Sequence, residues 1–243
     1  MTATRTTGLD SPDRAVVAVV TFPGSNDDGD ARLALETLGA DAVRVWHADE
    51  ALPQRCGAVV LPGGFSYGDY LRCGAIARTA RVMPAIRAFA AEGGPVLGIC
   101  NGFQILCESG LLPGALRMNR QLEFVCADVV ISVDAAETAV TRGVPAGTQL
   151  VIPAKHGEGN WFADDELFAE VAANDQIVFR YESDLNGARD RVAGVCNEAR
   201  NVVGLMPHPE HAVDPLLGPL GGVPLLQSLI ESASAHALAA LSV

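Results

Sequence analysis

The chain is poor in lysine and in positive charge generally. Lys155 is its single lysine, and 17 basic residues stand against 29 acidic ones, for a formal net charge of −12. Nucleic acids and anionic membrane surfaces bind proteins through basic faces, so neither is expected as a partner. The scarcity of lysine beside abundant alanine, valine and glycine is typical of compositional bias and indicates nothing about mechanism.

Long apolar runs are missing as well. No run approaches the roughly 20 residues that a membrane-spanning helix needs, and residues 1–14 lack the apolar segment of a secretory signal. We therefore expect a cytoplasmic protein in which residues 1–14 form a disordered N-terminal extension. Because the chain is 49% hydrophobic, residues 15–243 are expected to form one domain with a sizeable core.

Two ligand-binding patterns are also absent. The six cysteines include no Cys-x-x-Cys pair, so no metal site is expected. No Gly-x-x-x-x-Gly-Lys-[Ser/Thr] pattern occurs, so the chain has no phosphate-binding loop of that kind. If the reaction uses ATP, we expect the nucleotide to be bound elsewhere.

Strand-like and helix-like segments alternate along the first half of the chain. Strands are predicted at residues 15–22, 42–46, 58–61 and 96–99, and helices at residues 27–38, 75–91 and 101–108. Such alternation is typical of βαβ units, whose parallel sheet presents ligand-binding loops at the carboxyl ends of its strands.

The second half of the chain has fewer helices between its strands. Strands are predicted at residues 124–133, 149–153 and 177–181, with 192–196 and 202–206 as a closing hairpin or sheet edge. Helices are predicted at residues 164–173 and 223–241. The sequence thus predicts an α/β fold with a mostly parallel central sheet flanked by helices.

A candidate nucleophile follows the fourth predicted strand. Residues 98–104 read Gly-Ile-Cys-Asn-Gly-Phe-Gln, and a Gly-x-Cys-x-Gly pattern between strand and helix is the thiol form of a nucleophile elbow. Gly98 and Gly102 suit a turn where backbone segments come too close for a Cβ atom. Cys100 would lie at a helix N-terminus, which favours thiolate over thiol.

A thiol nucleophile needs a base and a group that orients the base. His208 and Glu210 flank Pro209, and in extended backbone such side chains share one face, so Glu210 can orient the His208 ring. His156, in the Gly-rich loop Lys155-His156-Gly157-Glu158-Gly159, is the alternative base. The local acidic partner favours His208.

Acyl chemistry also needs donors for a developing oxyanion. The elbow geometry indicates the backbone N–H of Asn101 as one donor. The glycine-rich segment Leu61-Pro62-Gly63-Gly64-Phe65-Ser66-Tyr67-Gly68-Asp69 is a candidate for the second, although Gly63 and Gly64 taken alone are better explained by a tight turn.

Together, the segments around Cys100 and around His208 and Glu210 resemble the class I (triad) glutamine amidotransferases. Three further segments resemble one branch of that class, the glutaminase subunits of phosphoribosylformylglycinamidine synthase: residues 22–26, 63–75 and 156–159. The resemblance covers roughly residues 15–240 and implies a flavodoxin-like α/β fold. It further implies release of ammonia from glutamine through a γ-glutamyl thioester in purine biosynthesis.

The resemblance also implies roles for single residues. Cys100 is the expected nucleophile, His208 the general base and then acid, and Glu210 the residue that orients His208. Gly64 and Asn101, with Gly63 beside them, resemble the oxyanion site, and Gln104 resembles a residue that holds glutamine.

One segment departs from the pattern of the branch. Where the branch usually has Cys after Pro-Gly-Ser-Asn, this chain has Asp27, followed by Asp28 and Asp30. The three acids are expected to form a solvated helix start. Trp161, just beyond the Gly-rich loop, is expected at the mouth of the active site.

The resemblance implies partners beside the glutamine substrate. A large ATP-dependent synthetase subunit would receive the ammonia and convert formylglycinamide ribonucleotide to its amidine, with a small accessory subunit. ATP and Mg²⁺ are expected on the synthetase, and no cofactor is expected on this chain. Alternatives are a glutaminase that serves another synthetase, such as one for guanylate or anthranilate, a free-standing thiol hydrolase, and a non-enzymatic scaffold.

Overall fold

The computed structural model describes residues 14–240, so residues 1–13 of the predicted extension lie outside the described residues. The elements of the first half follow the predicted alternation: β1 (Val16–Thr21), α1 (Asp28–Thr37), β2 (Asp41–Trp46), β3 (Cys56–Leu61), α2 (Met83–Ala91), β4 (Val96–Ile99) and α3 (Asn101–Glu108). The second half adds β5 (Ala115–Arg117), β6 (Val125–Val133), β7 (Gln149–His156), β8 (Asn160–Phe162), α4 (Asp165–Ala173), β9 (Ile177–Tyr181), β10 (Val192–Cys196), β11 (Val202–Leu205) and α5 (Val223–Ala240).

Nine strands form one mixed sheet in the order β2-β1-β3-β4-β11-β10-β9-β6-β7. The five strands from β2 to β11 run parallel, and the pairings from β11 to β7 are antiparallel. β5 and β8 form a separate antiparallel pair. The predicted α/β fold is confirmed, and the four antiparallel pairings lie together on one side of the sheet.

Of the two alternatives predicted for β10 and β11, the hairpin forms, and the sheet edge is wrong. Gly204 of β11 pairs with Gly98 of β4 on one side and with Val195 of β10 on the other. The strand is apolar and buried along its whole length, which is typical of a central strand covered on both faces. β11 therefore joins the parallel and antiparallel halves of the sheet.

The predicted helix at residues 75–91 is shorter in the structure. A 3₁₀ turn at Ala77–Thr79 comes first, and α2 begins only at Met83. Pro84 lies in the first turn of α2, where its missing N–H costs nothing, whereas deeper in a longer helix the ring would break the hydrogen-bond ladder. The proline in its first turn therefore marks the start of α2, which lies after the alanine-rich stretch.

The sheet brings several loops to one edge. β1, β3, β4 and β11 are parallel neighbours, so the residues that follow them meet at the carboxyl edge of the sheet. β7 ends at the same edge, since the alternating directions from β11 to β7 restore its orientation. Apolar side chains from both halves share one buried core beneath these loops. Within residues 14–240, no helix is long and apolar enough to cross a membrane.

Candidate active site

The candidate nucleophile lies in a strained turn between β4 and α3. Cys100 has φ 51° and ψ −104°, a conformation that an L-residue adopts at a cost and that clusters at functional sites. The turn is closed by two glycines: a Cβ atom on Gly98 would lie 2.7 Å from the backbone of Gly102, and one on Gly102 would lie 2.6 Å from the carbonyl carbon of Leu61. The predicted elbow is therefore present in the backbone.

The side chain of Cys100 is buried but reaches a small cavity. Its Sγ atom lies 3.8 Å from the carbonyl oxygen of Lys155, at the end of β7. The cavity has a volume of about 190 Å³, which suits a ligand smaller than a typical drug molecule. Residues from the converging loops line it: Asn26, Asp27, Gly64, Phe65, Asp69, Cys73, Cys100, Gln104, Phe124, Lys155, His156, Gly157, Glu158 and His208.

His208 and Glu210 form a buried pair. The Nδ1 atom of His208 lies 2.6 Å from Oε1 of Glu210, and both side chains are almost fully inaccessible. The pairing does not use the extended backbone that the sequence predicts, because Pro209–His211 forms a 3₁₀ turn. The turn still places the two side chains together, and the backbone N–H of His208 donates to the carbonyl of Pro153 at 2.7 Å.

The environment of His208 favours its charged form. Burial of the ring lowers its pKa, but the carboxylate of Glu210 and the neighbouring Cys100 sulfur outweigh burial and raise the pKa of His208 to about 10. Its Nε2 atom has no hydrogen-bond partner among the described residues. The ring is therefore an imidazolium at neutral pH, with one nitrogen on Glu210 and the other available to the thiol or to a substrate.

His156, the alternative base, has a different environment. Its Nδ1 atom lies 3.2 Å from Oδ1 of Asn119, and its Nε2 atom has no hydrogen-bond partner within residues 14–240. Burial, together with the positive charge of His208, lowers the pKa of His156 to about 4. A neutral imidazole of such low basicity is a poor proton acceptor at neutral pH, so the geometry favours His208.

The glycine-rich loop after β3 is held in a defined orientation. The backbone N–H groups of Asn26 and Asp27 donate to the carbonyl oxygen of Gly63 at 3.2 and 3.3 Å. In a trans peptide unit, C=O and N–H point in opposite directions, so this pairing also fixes the N–H of Gly64. Gly64 has φ +140°, which residues with a side chain rarely adopt. The loop therefore has the chemistry of an oxyanion donor as well as that of a turn.

Asn101 and Gln104 connect this loop to the elbow. The Asn101 side chain accepts from the N–H of Ser66 at 3.1 Å and donates to Gln104 Oε1 at 2.9 Å. The Gln104 amide in turn donates to the carbonyl of Glu158 at 2.7 Å. Gln104 lines the cavity, but its amide is already bonded to protein groups, so direct contact with a substrate stays a prediction.

The cavity contains a second thiol that differs from Cys100. Burial and the nearby carboxyl groups of Asp69 and Glu158 raise the pKa of Cys73 far above its usual value. Burial and the charge of Glu158 also raise the pKa of Asp69. Cys73 is therefore a protonated thiol next to two acids, whereas the sulfur of a nucleophile is activated by a neighbouring positive charge or base.

Two expectations about the site are wrong. Asp27 is buried, where the sequence predicts a solvated helix start, and it pairs with Lys155 at 2.5 Å. Trp161 is fully buried away from the cavity, and its indole N–H donates to the carbonyl of Pro113 at 3.1 Å. The sequence analysis also missed Lys155 as a cavity residue. Lys155 is the single lysine of the chain, and that was the one signal that could have pointed to it.

Comparison with known proteins shows the family to which the chain belongs. The family model of the CobB/CobQ-like glutamine amidotransferase domain matches residues 14–220. The chain is 56% identical over 217 residues to the phosphoribosylformylglycinamidine synthase subunit PurQ of Rubrobacter xylanophilus, which covers 89% of this chain and 98% of that protein. It is 52% identical over 217 residues to the protein of the same name from Corynebacterium jeikeium, which covers 89% of this chain and 97% of that protein.

A solved structure shares the fold over the same length. A chain from the structure of PurLQS from Thermotoga maritima matches with a TM-score of 0.82 and 42% sequence identity, covering 90% of this chain and 98% of that chain. The fold described above therefore also occurs in a chain of that structure.

Proposed function

Because the chain belongs to the family of CobB/CobQ-like glutamine amidotransferase domains, we propose that it is the glutaminase subunit of a phosphoribosylformylglycinamidine synthase and that Cys100, His208 and Glu210 are its catalytic residues. Relatives named as that subunit match over nearly their whole length. The observation that carries the assignment of residues is the buried pair of His208 and Glu210 beside a strained cysteine in a small cavity.

In this proposal the first half-reaction forms a thioester. The Cys100 thiolate attacks the side-chain amide carbon of glutamine, and the N–H groups of Gly64 and Asn101 bind the negative oxygen that develops. The His208 imidazolium protonates the departing nitrogen as the C–N bond breaks, so ammonia leaves and a γ-glutamyl thioester remains on Cys100.

The second half-reaction restores the enzyme. Neutral His208 takes a proton from water while the water oxygen attacks the thioester carbonyl. The C–S bond breaks, glutamate leaves, and the sulfur of Cys100 is free again beside a protonated His208. Glu210 holds the ring orientation through both halves because it stays bonded to Nδ1. Asp69 and Glu158 give the cavity wall a negative character that suits the ammonium group of an amino acid.

The proposal also includes partners that this chain does not contain. The ammonia passes to a large ATP-dependent synthetase subunit, which converts formylglycinamide ribonucleotide to its amidine, with a small accessory subunit in the complex. The structure of PurLQS from Thermotoga maritima, which contains the similar chain, supports such an assembly. ATP and Mg²⁺ are assigned to the synthetase because this sequence lacks a Gly-x-x-x-x-Gly-Lys-[Ser/Thr] loop. We expect the complex to work in the cytoplasm.

Replacement of Cys100 tests the proposal. Cys100→Ala should abolish glutamine-dependent formation of the amidine product in the assembled complex and leave ammonia-dependent formation intact. Cys126→Ala, which removes an exposed cysteine, is the matched control and should leave both activities unchanged. Glutamine-dependent activity that survives in Cys100→Ala would overturn the assignment. Strong glutamine or ester hydrolysis by the isolated chain, unaffected by a synthetase, would favour a free-standing thiol hydrolase.

A further inference from the structure

The carboxylate of Asp27 connects three segments of the active site. Its side chain is only 7% exposed. Oδ1 accepts a hydrogen bond from Nζ of Lys155 at 2.5 Å and lies 3.2 Å from Nε2 of His211. Oδ2 lies 3.7 Å from Nδ1 of His208. One carboxylate on the loop after β1 thus meets the end of β7 and the turn after β11.

Lys155 carries this connection to the nucleophile. Its Nζ atom binds Asp27 and lies 3.0 Å from Nε2 of His211, while its backbone carbonyl lies 3.8 Å from Sγ of Cys100. The residue that rests against the thiol through its backbone is therefore held by Asp27 through its side chain. Loss of the ion pair would free the last residues of β7 beside the sulfur.

The backbone of Asp27 contacts the candidate oxyanion loop. Its N–H, together with that of Asn26, donates to the carbonyl of Gly63. A Cβ atom on Gly63 would lie 2.7 Å from the His208 ring and would also overlap the Asp27 carboxylate. The loop, the carboxylate and the base are thus packed against one another without room for an added methyl group.

A buried carboxylate persists only where its charge is compensated. Burial alone would raise the pKa of Asp27, but His211, His208 and Lys155 outweigh burial and hold the pKa far below its usual value. Asp27 is therefore ionised at neutral pH and adds a second negative charge beside the base. The charged and titratable groups around His208, from every element that meets there, are Glu210, Cys100, Asp27, Lys155, His156 and His211.

We propose that Asp27 is a positioning residue for the glutaminase reaction, holding Lys155 against the active site and stabilising the charged form of His208 as a second carboxylate beside Glu210. The proposal rests on the assignment of Cys100 and His208 made above. It gives a physical role to the residue at which this chain departs from the pattern of its branch.

Two substitutions should shift the titration of His208 in opposite directions. Asp27→Asn removes the negative charge and leaves the Lys155 ammonium unopposed, so the midpoint of His208 should fall by about one pH unit or more. Lys155→Met removes the positive charge, so the Asp27 carboxylate then interacts with His208 and His211 alone. The titration midpoint of His208 should therefore rise. Asp30→Asn, at an exposed position of the same helix start, is the matched control and should shift nothing.

The midpoints can be measured in the intact chain by NMR of ¹³C-labelled histidine, with the His208 resonance assigned from its loss in His208→Gln. Glutaminase kinetics in the assembled complex provide the second measurement: the basic limb of the kcat/KM profile should move with the NMR midpoint. Shifts of opposite sign support the proposal. Unchanged midpoints in both variants, or shifts of the same sign, would overturn it, since a purely structural role predicts no such pattern.

The outcome is separable from that for the proposed function. If Cys100→Ala abolishes glutamine-dependent activity while Asp27→Asn and Lys155→Met leave His208 unmoved, only the role of Asp27 fails. If Asp27→Asn does not fold, as judged by loss of histidine resonance dispersion, the predicted rise in Lys155→Met decides the question alone.

Discussion

The Nδ1 atom of His208 lies 2.6 Å from Oε1 of Glu210, and both side chains are buried from solvent. A distance this short is typical of a charge-assisted hydrogen bond. The 3₁₀ turn at Pro209–His211 produces it by bending the chain directly after His208. Nε2 is thereby left free to face the thiol. The proposed mechanism requires this, because His208 must hold a proton and then donate it to the leaving group.

Loss of the Glu210 carboxylate should slow the reaction without removing the nucleophile. Glu210→Gln is expected to lower glutamine-dependent kcat by about 10²–10⁴-fold, because the imidazolium loses its principal counter-charge and its fixed orientation. Steady-state glutaminase kinetics in the assembled complex measure the effect. Glu170→Gln, at an exposed position on α4, should leave kcat unchanged. An equal kcat for Glu210→Gln and wild type would show that the pair is only structural.

Stability should depend on pH through His156. Its pKa is about 4 in the folded chain, against 6.5 for an ordinary histidine, so the unfolded chain binds a proton more readily. The contribution of His156 is therefore complete above pH 6.5 and is lost as the pH falls toward 4. Urea denaturation between pH 7 and 4 should show a decline that His156→Gln reduces, by up to about 3 kcal/mol.

Wild type and His156→Gln are compared by how steeply the free energy of unfolding changes with pH. Any packing lost around residue 156 lowers stability equally at every pH and does not affect this slope. An identical slope in His156→Gln and wild type would mean that this ring is not buried in its neutral form.

Two glycines at the second position of their helices should respond oppositely to alanine. In α3, a Cβ atom on Gly102 would lie 2.6 Å from the carbonyl carbon of Leu61, so Gly102→Ala should lower the free energy of unfolding by about 1–3 kcal/mol or more. In α1, a Cβ atom on Gly29 would have no described atom within 4 Å apart from its chain neighbours and the backbone of its own helix. Gly29→Ala should therefore raise the free energy of unfolding by about 0.5–1 kcal/mol. Denaturant unfolding tests both, and a stabilising Gly102→Ala would contradict the close packing of the elbow on β3.

The parts of the site that the sequence predicts are those set by local chain geometry. The elbow follows from a short apolar strand, two flanking glycines and an immediate helix, and the structure has all three at residues 96–108. Glu210 lies two residues from His208, so their pairing needs only a suitable turn. The start of α2 was predictable too, because Pro84 is a strong start signal that the alanine-rich stretch obscured.

The parts that were missed depend on distant residues. In the sequence, Asp27 resembles the solvated start of a helix. In the structure it is paired with Lys155, which lies 128 positions away. The central place of β11 is set by its pairing with β4, which local periodicity cannot reveal. Trp161 follows a polar loop in sequence, yet the ring turns inward to Pro113. Long-range pairing, and not propensity, decides each of these cases.

The covalent intermediate is the most direct test of the proposed chemistry. The assembled complex can be mixed with glutamine, quenched in acid within milliseconds to seconds and digested, and the cysteine peptides weighed by mass spectrometry. A γ-glutamyl adduct is expected on the peptide that contains Cys100, absent from Cys100→Ala and from the peptides of Cys73 and Cys126. Turnover of glutamine with no adduct on Cys100 at any time point, or with an adduct on another cysteine, would contradict the thioester mechanism at this site.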